Sequence, residues 1–100
     1  MDKNIYLINL YDIYGSLLTE KQQNYFEEYY FDNLSLKEIS ENYDVTRNAI
    51  FNVLKETEDK LNYYEENLNI YKKNKKIKEI LETEDKNLKK KIEEVIEKGW

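Results

Sequence analysis

The hydrophobic positions at the start of the chain recur every three or four residues, which is the spacing of an α-helix. They run from residue 3 to residue 18 along the rows Tyr6-Leu10-Ile13-Leu17 and Leu7-Tyr14-Leu18. A helix that is apolar around most of its circumference is expected in the middle of a helical core.

Capping signals divide the next segment into short helices. Thr19 with Gln22, and Ser35 with Glu38, have the spacing of a capping box, and Thr46 is placed to cap a further helix. These signals predict a second helix to about residue 31, a third from residue 36 to about 42, and a fourth from residue 47. The second helix is predicted to bury Gln22, Tyr25, Phe26, Tyr29 and Tyr30.

The fourth predicted helix carries a heptad seam. Apolar and small side chains alternate at intervals of four and three along it, at Ile50, Leu54, Thr57, Leu61, Tyr64, Leu68 and Tyr71. A helix over residues 47–71 would be roughly 37 Å long. Its seam must be covered either by the rest of the chain or by a second copy, as a homodimer through residues 50–71.

The last third of the chain is predicted to be helical but differently charged. Residues 1–71 carry 6 Lys and Arg against 14 Asp and Glu, whereas residues 72–100 carry 10 against 7. We expect residues 72–76 to form a hinge, followed by a short amphipathic helix and a second one capped at Thr83-Glu84-Asp85. The chain is therefore predicted to be all-α, with a helical bundle over 1–71 and a lysine-rich helical extension over 72–100.

Composition removes several chemical functions. The chain has no His and no Cys, which excludes imidazole acid–base catalysis, thiol nucleophiles and the usual zinc ligands. Several acidic residues are adjacent in the sequence, such as Glu27-Glu28, Glu65-Glu66 and Glu93-Glu94, but no Gly-rich phosphate loop accompanies them. We therefore predict no catalytic site, no metal and no cofactor. The chain also lacks a signal peptide and an apolar stretch long enough to cross a membrane, so a cytoplasmic protein without membrane insertion is expected.

Residues 36–55 have the pattern of a helix-turn-helix. The predicted lock between its helices is Ile39, Tyr43, Val45, Ile50 and Val53, with Ser40 as the small residue at the crossing and Asp44 in the left-handed turn position. The side chains left on the outside of the second helix are Thr46, Arg47, Asn48, Phe51, Asn52 and Lys55. Arg and Asn at the start of such a helix can read base edges in a major groove.

Two charge features bear on nucleic-acid binding. Residues 35–60 hold four basic side chains against six acidic ones, which disfavours strong binding to a phosphate backbone. A lysine cluster further along can supply electrostatic contact with phosphates or an acidic partner. Its members are Lys72, Lys73, Lys75, Lys76 and Lys78.

Three blocks of sequence resemble the YlxM family, small bacterial proteins with a helix-turn-helix similar to region 4 of sigma-70 factors. They are LYDIYGSLLTEKQ at 10–22, YYFDNLSLKEIS at 29–40 and VTRNAI at 45–50, within a resemblance that covers about residues 5–72. The resemblance implies a cytoplasmic, non-catalytic protein with an accessory or regulatory role in the signal recognition particle pathway. It also implies that the outward residues of the fourth helix correspond to the recognition helix of the family.

Two functional hypotheses follow. The first is a non-enzymatic accessory protein that binds the protein or the RNA of the signal recognition particle, using the lysine cluster. The second is a dimeric DNA-binding transcriptional regulator that reads its site with Arg47, Asn48 and Asn52.

Overall fold

The computed structural model describes residues 2–82 and 86–98 and contains only helices and turns within those ranges. The all-α prediction is therefore confirmed. The helices are α1 (Lys3–Tyr14), α2 (Glu20–Tyr30), α3 (Leu36–Tyr43), α4 (Arg47–Leu68), α5 (Ile70–Leu81) and α6 (Lys86–Lys98), with a 3₁₀ turn at Gly15–Leu17. The chain forms two compact units, Met1–Asn67 and Leu68–Trp100. Over the described residues, no helix combines the length and apolar character needed to cross a bilayer.

Helix α1 buries one stripe of side chains in the first unit, whereas its hydrophobic pattern predicts burial around most of the helix; Ile5 is 54% exposed and Ile13 is half-buried. Leu7, Leu10 and Tyr14 are almost completely buried. The helix gives way to the 3₁₀ turn at Gly15, where a Cβ atom would lie only 3.1 Å from the Tyr11 ring. The close approach of this ring explains a glycine at the position. Leu17, on one of the predicted apolar rows, is exposed.

Both predicted capping boxes are present. At the start of α2, Thr19 Oγ1 accepts from the backbone N–H of Gln22, and the Gln22 side-chain oxygen accepts from the backbone N–H of Thr19. Ser35 and Glu38 make the same two bonds at the start of α3. The backbone hydrogen bond from Ser35 holds the pKa of Glu38 below its usual value. These reciprocal bonds fix where α2 and α3 begin.

Helix α2 buries less of its surface than predicted. Gln22, Tyr25 and Phe26 are buried, but Tyr29 is 37% exposed and Tyr30 is only half-buried. The prediction that Tyr29 is buried is wrong because the last turn of α2 faces an open cleft.

The first four positions of the heptad seam lie in the core of the first unit. Ile50, Leu54, Thr57 and Leu61 are buried there, so a homodimer along the predicted 50–71 seam would have to open this core. At these four positions the seam is covered by the rest of the chain and not by a second copy.

The predicted continuation of α4 to residue 71 is wrong. The helix ends at Leu68, and Asn69 takes a left-handed conformation with φ 55° before α5 begins at Ile70. Asparagine tolerates this conformation better than most residues and is a common helix terminator. The seam is therefore interrupted before its last position, and Leu68 is 46% exposed.

Four tyrosine hydroxyls link the helices of the first unit by donating to glutamate carboxylates. The bonds join α1 to α2, α1 to α4, α2 to α4, and α3 to α2. The pairs are Tyr11–Glu27 at 2.5 Å, Tyr14–Glu65 at 2.7 Å, Tyr30–Glu58 at 2.9 Å, and Tyr43–Glu28. Burial, reinforced by the bonded carboxylate, raises the pKa of Tyr11 and of Tyr30. The hydrogen bond to Glu28, followed by burial, raises the pKa of Tyr43 to about 12.

The second unit is a pair of packed helices, α5 and α6. Leu81 is buried, while Ile80 and Val95 are about half exposed. The predicted hinge at residues 72–76 is wrong, because this stretch is part of α5; lysine is a good helix former and Ile70, Ile77 and Leu81 recur at helical spacing. The cap predicted at residues 83–85 lies outside the described residues.

Candidate nucleic-acid interface

Helices α3 and α4 form the predicted helix-turn-helix. Asp44 ends α3 in the left-handed conformation, with φ 53° and ψ 47°, which confirms the turn predicted there. The Val45 N–H then donates to the Ser40 carbonyl at 3.0 Å. Thr46 Oγ1 accepts from the Ala49 N–H at 3.0 Å and so caps α4. These hydrogen bonds hold the short turn and the start of α4 in place relative to α3.

The lock between the two helices differs in part from the prediction. Ile39 and Ile50 are fully buried and form one cluster with Leu54 and with Tyr25 of α2. Val53 is half-buried against this cluster, as predicted.

Tyr43 and Val45 were assigned to the lock wrongly, since each is 39% exposed. The Tyr25 ring from α2 occupies the inner position, and the Tyr43 ring packs edge-on against it at 4.8 Å between centroids. Ser40 is buried as expected, and its hydroxyl donates to the Lys37 carbonyl at 2.7 Å.

The outer side of α4 carries five of the six predicted contact residues, and the sixth, Thr46, precedes the helix as its cap. At 100° per residue, positions 47, 48, 51, 52 and 55 fall within an arc of about 140°, and the buried positions 50, 54, 57 and 61 fall outside that arc. Every side chain of the predicted set is exposed, namely Thr46, Arg47, Asn48, Phe51, Asn52 and Lys55. A single face of α4 therefore presents one cation, two amides and an aromatic ring near its amino terminus, with a second cation one turn further on.

Acidic groups limit the electrostatic strength of this face. The Lys55 ammonium lies 3.5 Å from the Asp59 carboxylate, and both side chains are more than 60% exposed. Exposed pairs of this kind contribute little energy, so a phosphate can replace the carboxylate. Glu56 instead accepts from the Gln22 side-chain amide at 3.2 Å, which directs its carboxylate toward α2.

A cleft of about 430 Å³ lies beside this face and was not predicted. Its lining includes aromatic, aliphatic and charged side chains, and Phe51 and Lys55 belong to both the cleft and the outer face of α4. The other residues around it include Lys3, Asn4, Tyr29, Leu36, Leu54 and Glu58. The sequence signal that could have indicated it is Phe51, an aromatic residue among polar neighbours on the outer side of a helix.

The predicted lysine cluster lies entirely on α5, in the second unit. Lys72, Lys73, Lys75 and Lys76 are exposed, and Lys78 is half-buried. Ile70, Ile77 and Leu81 share one side of the helix, and the five lysines spread over an arc of about 220° around the remainder, which also contains the exposed Ile80 and is called the lysine face. A face of this type suits electrostatic contact with phosphates without reading bases.

Within residues 2–82 and 86–98, no group of three or more acidic side chains is arranged to hold a metal ion. The chemistry available on the outer face of α4 is hydrogen bonding, stacking and charge contact.

Comparison with known proteins confirms the family resemblance. A family model described as "Putative helix-turn-helix protein, YlxM / p13 like" matches residues 1–98. The UPF0122 protein of Caldanaerobacter subterraneus subsp. tengcongensis is 46% identical over 85 residues, which cover 81% of this chain and 73% of the relative. That of Halalkalibacterium halodurans is 46% identical over 82 residues, covering 82% and 75%. That of Bacillus pumilus is 44% identical over 81 residues, covering 81% and 74%. With a match along almost its entire length, this chain belongs to the UPF0122 family of YlxM / p13-like helix-turn-helix proteins.

Proposed function

We propose that this protein is a non-enzymatic accessory protein that binds nucleic acid with the outer face of α4. The observation that carries the proposal is the exposure of all six predicted contact residues, five of them on the outside of the second helix of the helix-turn-helix and Thr46 at its cap. Family membership supports the same class of function.

The chemistry of the face supports base contact more than strong phosphate binding. Arg47 and Asn48 lie in the first turn of α4, where the guanidinium and the amide can each make paired hydrogen bonds to base edges. Thr46 is already used as a cap, so its part is to fix the start of the helix. Because the module is net acidic, additional phosphate contact has to come from elsewhere, and the lysine face of α5 is the proposed source.

The proposed setting is the signal recognition particle pathway in the cytoplasm, with the RNA or the protein of the particle as the partner. This setting is supported by the resemblance to the YlxM family. The second candidate is a DNA-binding transcriptional regulator, favoured by the placement of Arg47, Asn48 and Asn52 on the outside of α4. Recognition of a palindromic site requires two modules, so this candidate also requires a homodimer.

Titrations with three probes test the proposal and separate the two candidates. The probes are a mixed-sequence DNA duplex, the RNA of the particle, and the particle protein, each titrated at several salt concentrations. The double variant R47A/N48A is expected to weaken nucleic-acid binding by about 5- to 150-fold, the value of one good base contact. The matched control is K37A/N24A, which removes one cation and one amide from exposed positions on α3 and α2.

The lysine face is tested separately. Replacing the five lysines of α5 with Gln is expected to flatten the slope of log affinity against log salt by up to about 0.9 for each lost phosphate contact on a duplex. The control is K90Q/K91Q, at two exposed positions on α6. Preference for the particle RNA supports the accessory role, whereas preference for DNA with a dimeric mass in solution supports the regulator. Absence of binding to any nucleic-acid probe, or equal loss in R47A/N48A and its control, contradicts the proposal.

A further inference from the structure

Phe51 is the one residue on the outer face of α4 that cannot form hydrogen bonds with its side chain. It lies among Asn48, Asn52 and Lys55, yet it is 53% exposed. Single exposed apolar side chains are common on protein surfaces, so the position of Phe51 beside a cleft matters more than its exposure. Phe51 lines the cleft together with Tyr29, which is itself 37% exposed, and the other lining residues come from all four helices of the first unit. Two exposed aromatic rings thus share one cleft.

We propose that this cleft takes one unpaired base of a single-stranded or looped nucleic acid, stacked against Phe51 and Tyr29. The inference rests on the proposed function and specifies its substrate class. Leu36 and Leu54 line the cleft together with the two rings, so the site offers apolar contact to the faces of a base. A paired base keeps its faces inside the duplex stack, and only an unpaired base can lay its face on a side-chain ring.

The charges around the cleft fit this occupant. Lys3 and Lys55 stand at its edge, with side chains 76% and 61% exposed, where they can meet the phosphates on either side of a bound base. Lys3 is paired with Glu58 at 3.6 Å, but Glu58 also accepts the Tyr30 hydroxyl at 2.9 Å, so this carboxylate keeps a partner when Lys3 moves to a phosphate.

The net negative charge of the helix-turn-helix, with four basic and six acidic side chains over residues 35–60, also favours an unpaired base over a duplex. Duplex binders typically neutralise many phosphates, and this module has too few cations to do so. Stacking contributes affinity that does not depend on charge and tolerates any base sequence. The two lysines at the cleft contribute about −1.4 to the slope of log affinity against log salt for a single strand, in addition to any contribution from the lysines of α5.

The test uses the full chain and three probes: a short mixed-sequence single strand, the same strand with an abasic position at its centre, and the same sequence annealed as a duplex. Phe51→Ala is expected to weaken binding to the intact single strand by about 5- to 150-fold and to abolish the preference over the abasic strand. Phe51→Trp keeps a ring and is expected to retain binding. Tyr63→Ala is the matched control, because Tyr63 is a 62% exposed aromatic residue on the same helix that does not line the cleft.

The outcomes distinguish this inference from the function on which it rests. If Phe51→Ala leaves single-strand affinity within twofold, or weakens single strand and duplex equally, the base site is overturned while R47A/N48A can still show nucleic-acid binding. If no probe binds the unaltered protein, both fail, and the cleft is then better suited to an apolar side chain of a protein partner. Loss confined to the single strand in Phe51→Ala, with Phe51→Trp and Tyr63→Ala unaffected, supports the site.

Discussion

Replacing Tyr14 with Phe tests whether buried tyrosine–glutamate bonds stabilise the first unit. Tyr14 is 1% exposed and its hydroxyl donates to Glu65, itself 6% exposed, at 2.7 Å. A hydrogen bond to a charged group contributes about 1.5–3 kcal/mol, and the loss is larger when a buried acceptor remains behind. The Phe ring keeps the packing of Tyr14 on Tyr64, whose centroid is 5.9 Å away, so no cavity beyond one oxygen is created. We expect the free energy of unfolding to fall by about 2 kcal/mol, which corresponds to roughly 8–16 °C in melting temperature for a unit of this size.

Urea denaturation followed by far-UV circular dichroism measures this change. Tyr63→Phe is the control, because that side chain is 62% exposed and a surface change of this kind is expected to stay within about 0.5 kcal/mol. The double variant Tyr14→Phe/Glu65→Leu removes donor and acceptor together and is expected to recover much of the lost stability. The reasoning is refuted if Tyr14→Phe alone lies within about 0.5 kcal/mol of the unaltered protein, or if the double variant is less stable than the single one.

Three further predictions concern the helix ends and the behaviour at high pH. Asp44 has φ 53°, a left-handed conformation that glycine adopts easily and a β-branched residue does not. Asp44→Gly is therefore expected to be neutral or stabilising in the same denaturation assay, whereas Asp44→Val is expected to cost about 1–2 kcal/mol. Equal stability of the two variants would show that the left-handed conformation carries no such cost. Ser35→Ala removes the side-chain acceptor that begins α3 and is expected to cost about 1 kcal/mol, with the exposed Ser16→Ala as the control. The pKa of Tyr43 is raised from 10.0 to about 12 by its bond to Glu28, so the folded state keeps a proton that the unfolded state loses. Stability is therefore expected to fall as pH rises from about 10 to about 12, and Tyr43→Phe should make that fall smaller; an unchanged pH profile in the variant would show that the bond does not matter.

The parts of the fold that depend only on residues a few positions apart in the sequence could be predicted. Ser35 and Thr46 begin their helices where the pattern places them, because a cap needs only a hydroxyl and an N–H two or three positions away. Asp44 occupies the turn because few residues adopt a left-handed backbone at low cost. The outward set on α4 followed from helix periodicity once its starting point was known.

The remainder depended on contacts that the local sequence does not encode. In the sequence, Tyr43 and Val45 have the pattern of core residues. In the structure, Tyr25 of α2 fills the buried position between α3 and α4, and Tyr43 packs outside it. The end of α4 was missed because Asn69 is ordinary within a helix, and only its left-handed conformation reveals the stop. The cleft beside α4 could not be predicted either, since Tyr29 and Phe51 come from helices whose spacing the sequence leaves open.

The tyrosine–glutamate bonds have a consequence for how uniquely the bundle is assembled. Aliphatic side chains are largely interchangeable, so helices joined by them alone can slide or rotate by a turn at modest cost. A phenol that must meet one buried carboxylate penalises a slipped arrangement, because the displaced acid would be left buried without that donor. The bond from Tyr14 to Glu65 is the buried one of the four and joins α1 to α4, so exchanging this tyrosine for phenylalanine would loosen the register between these two helices as well as lower the stability of the native packing.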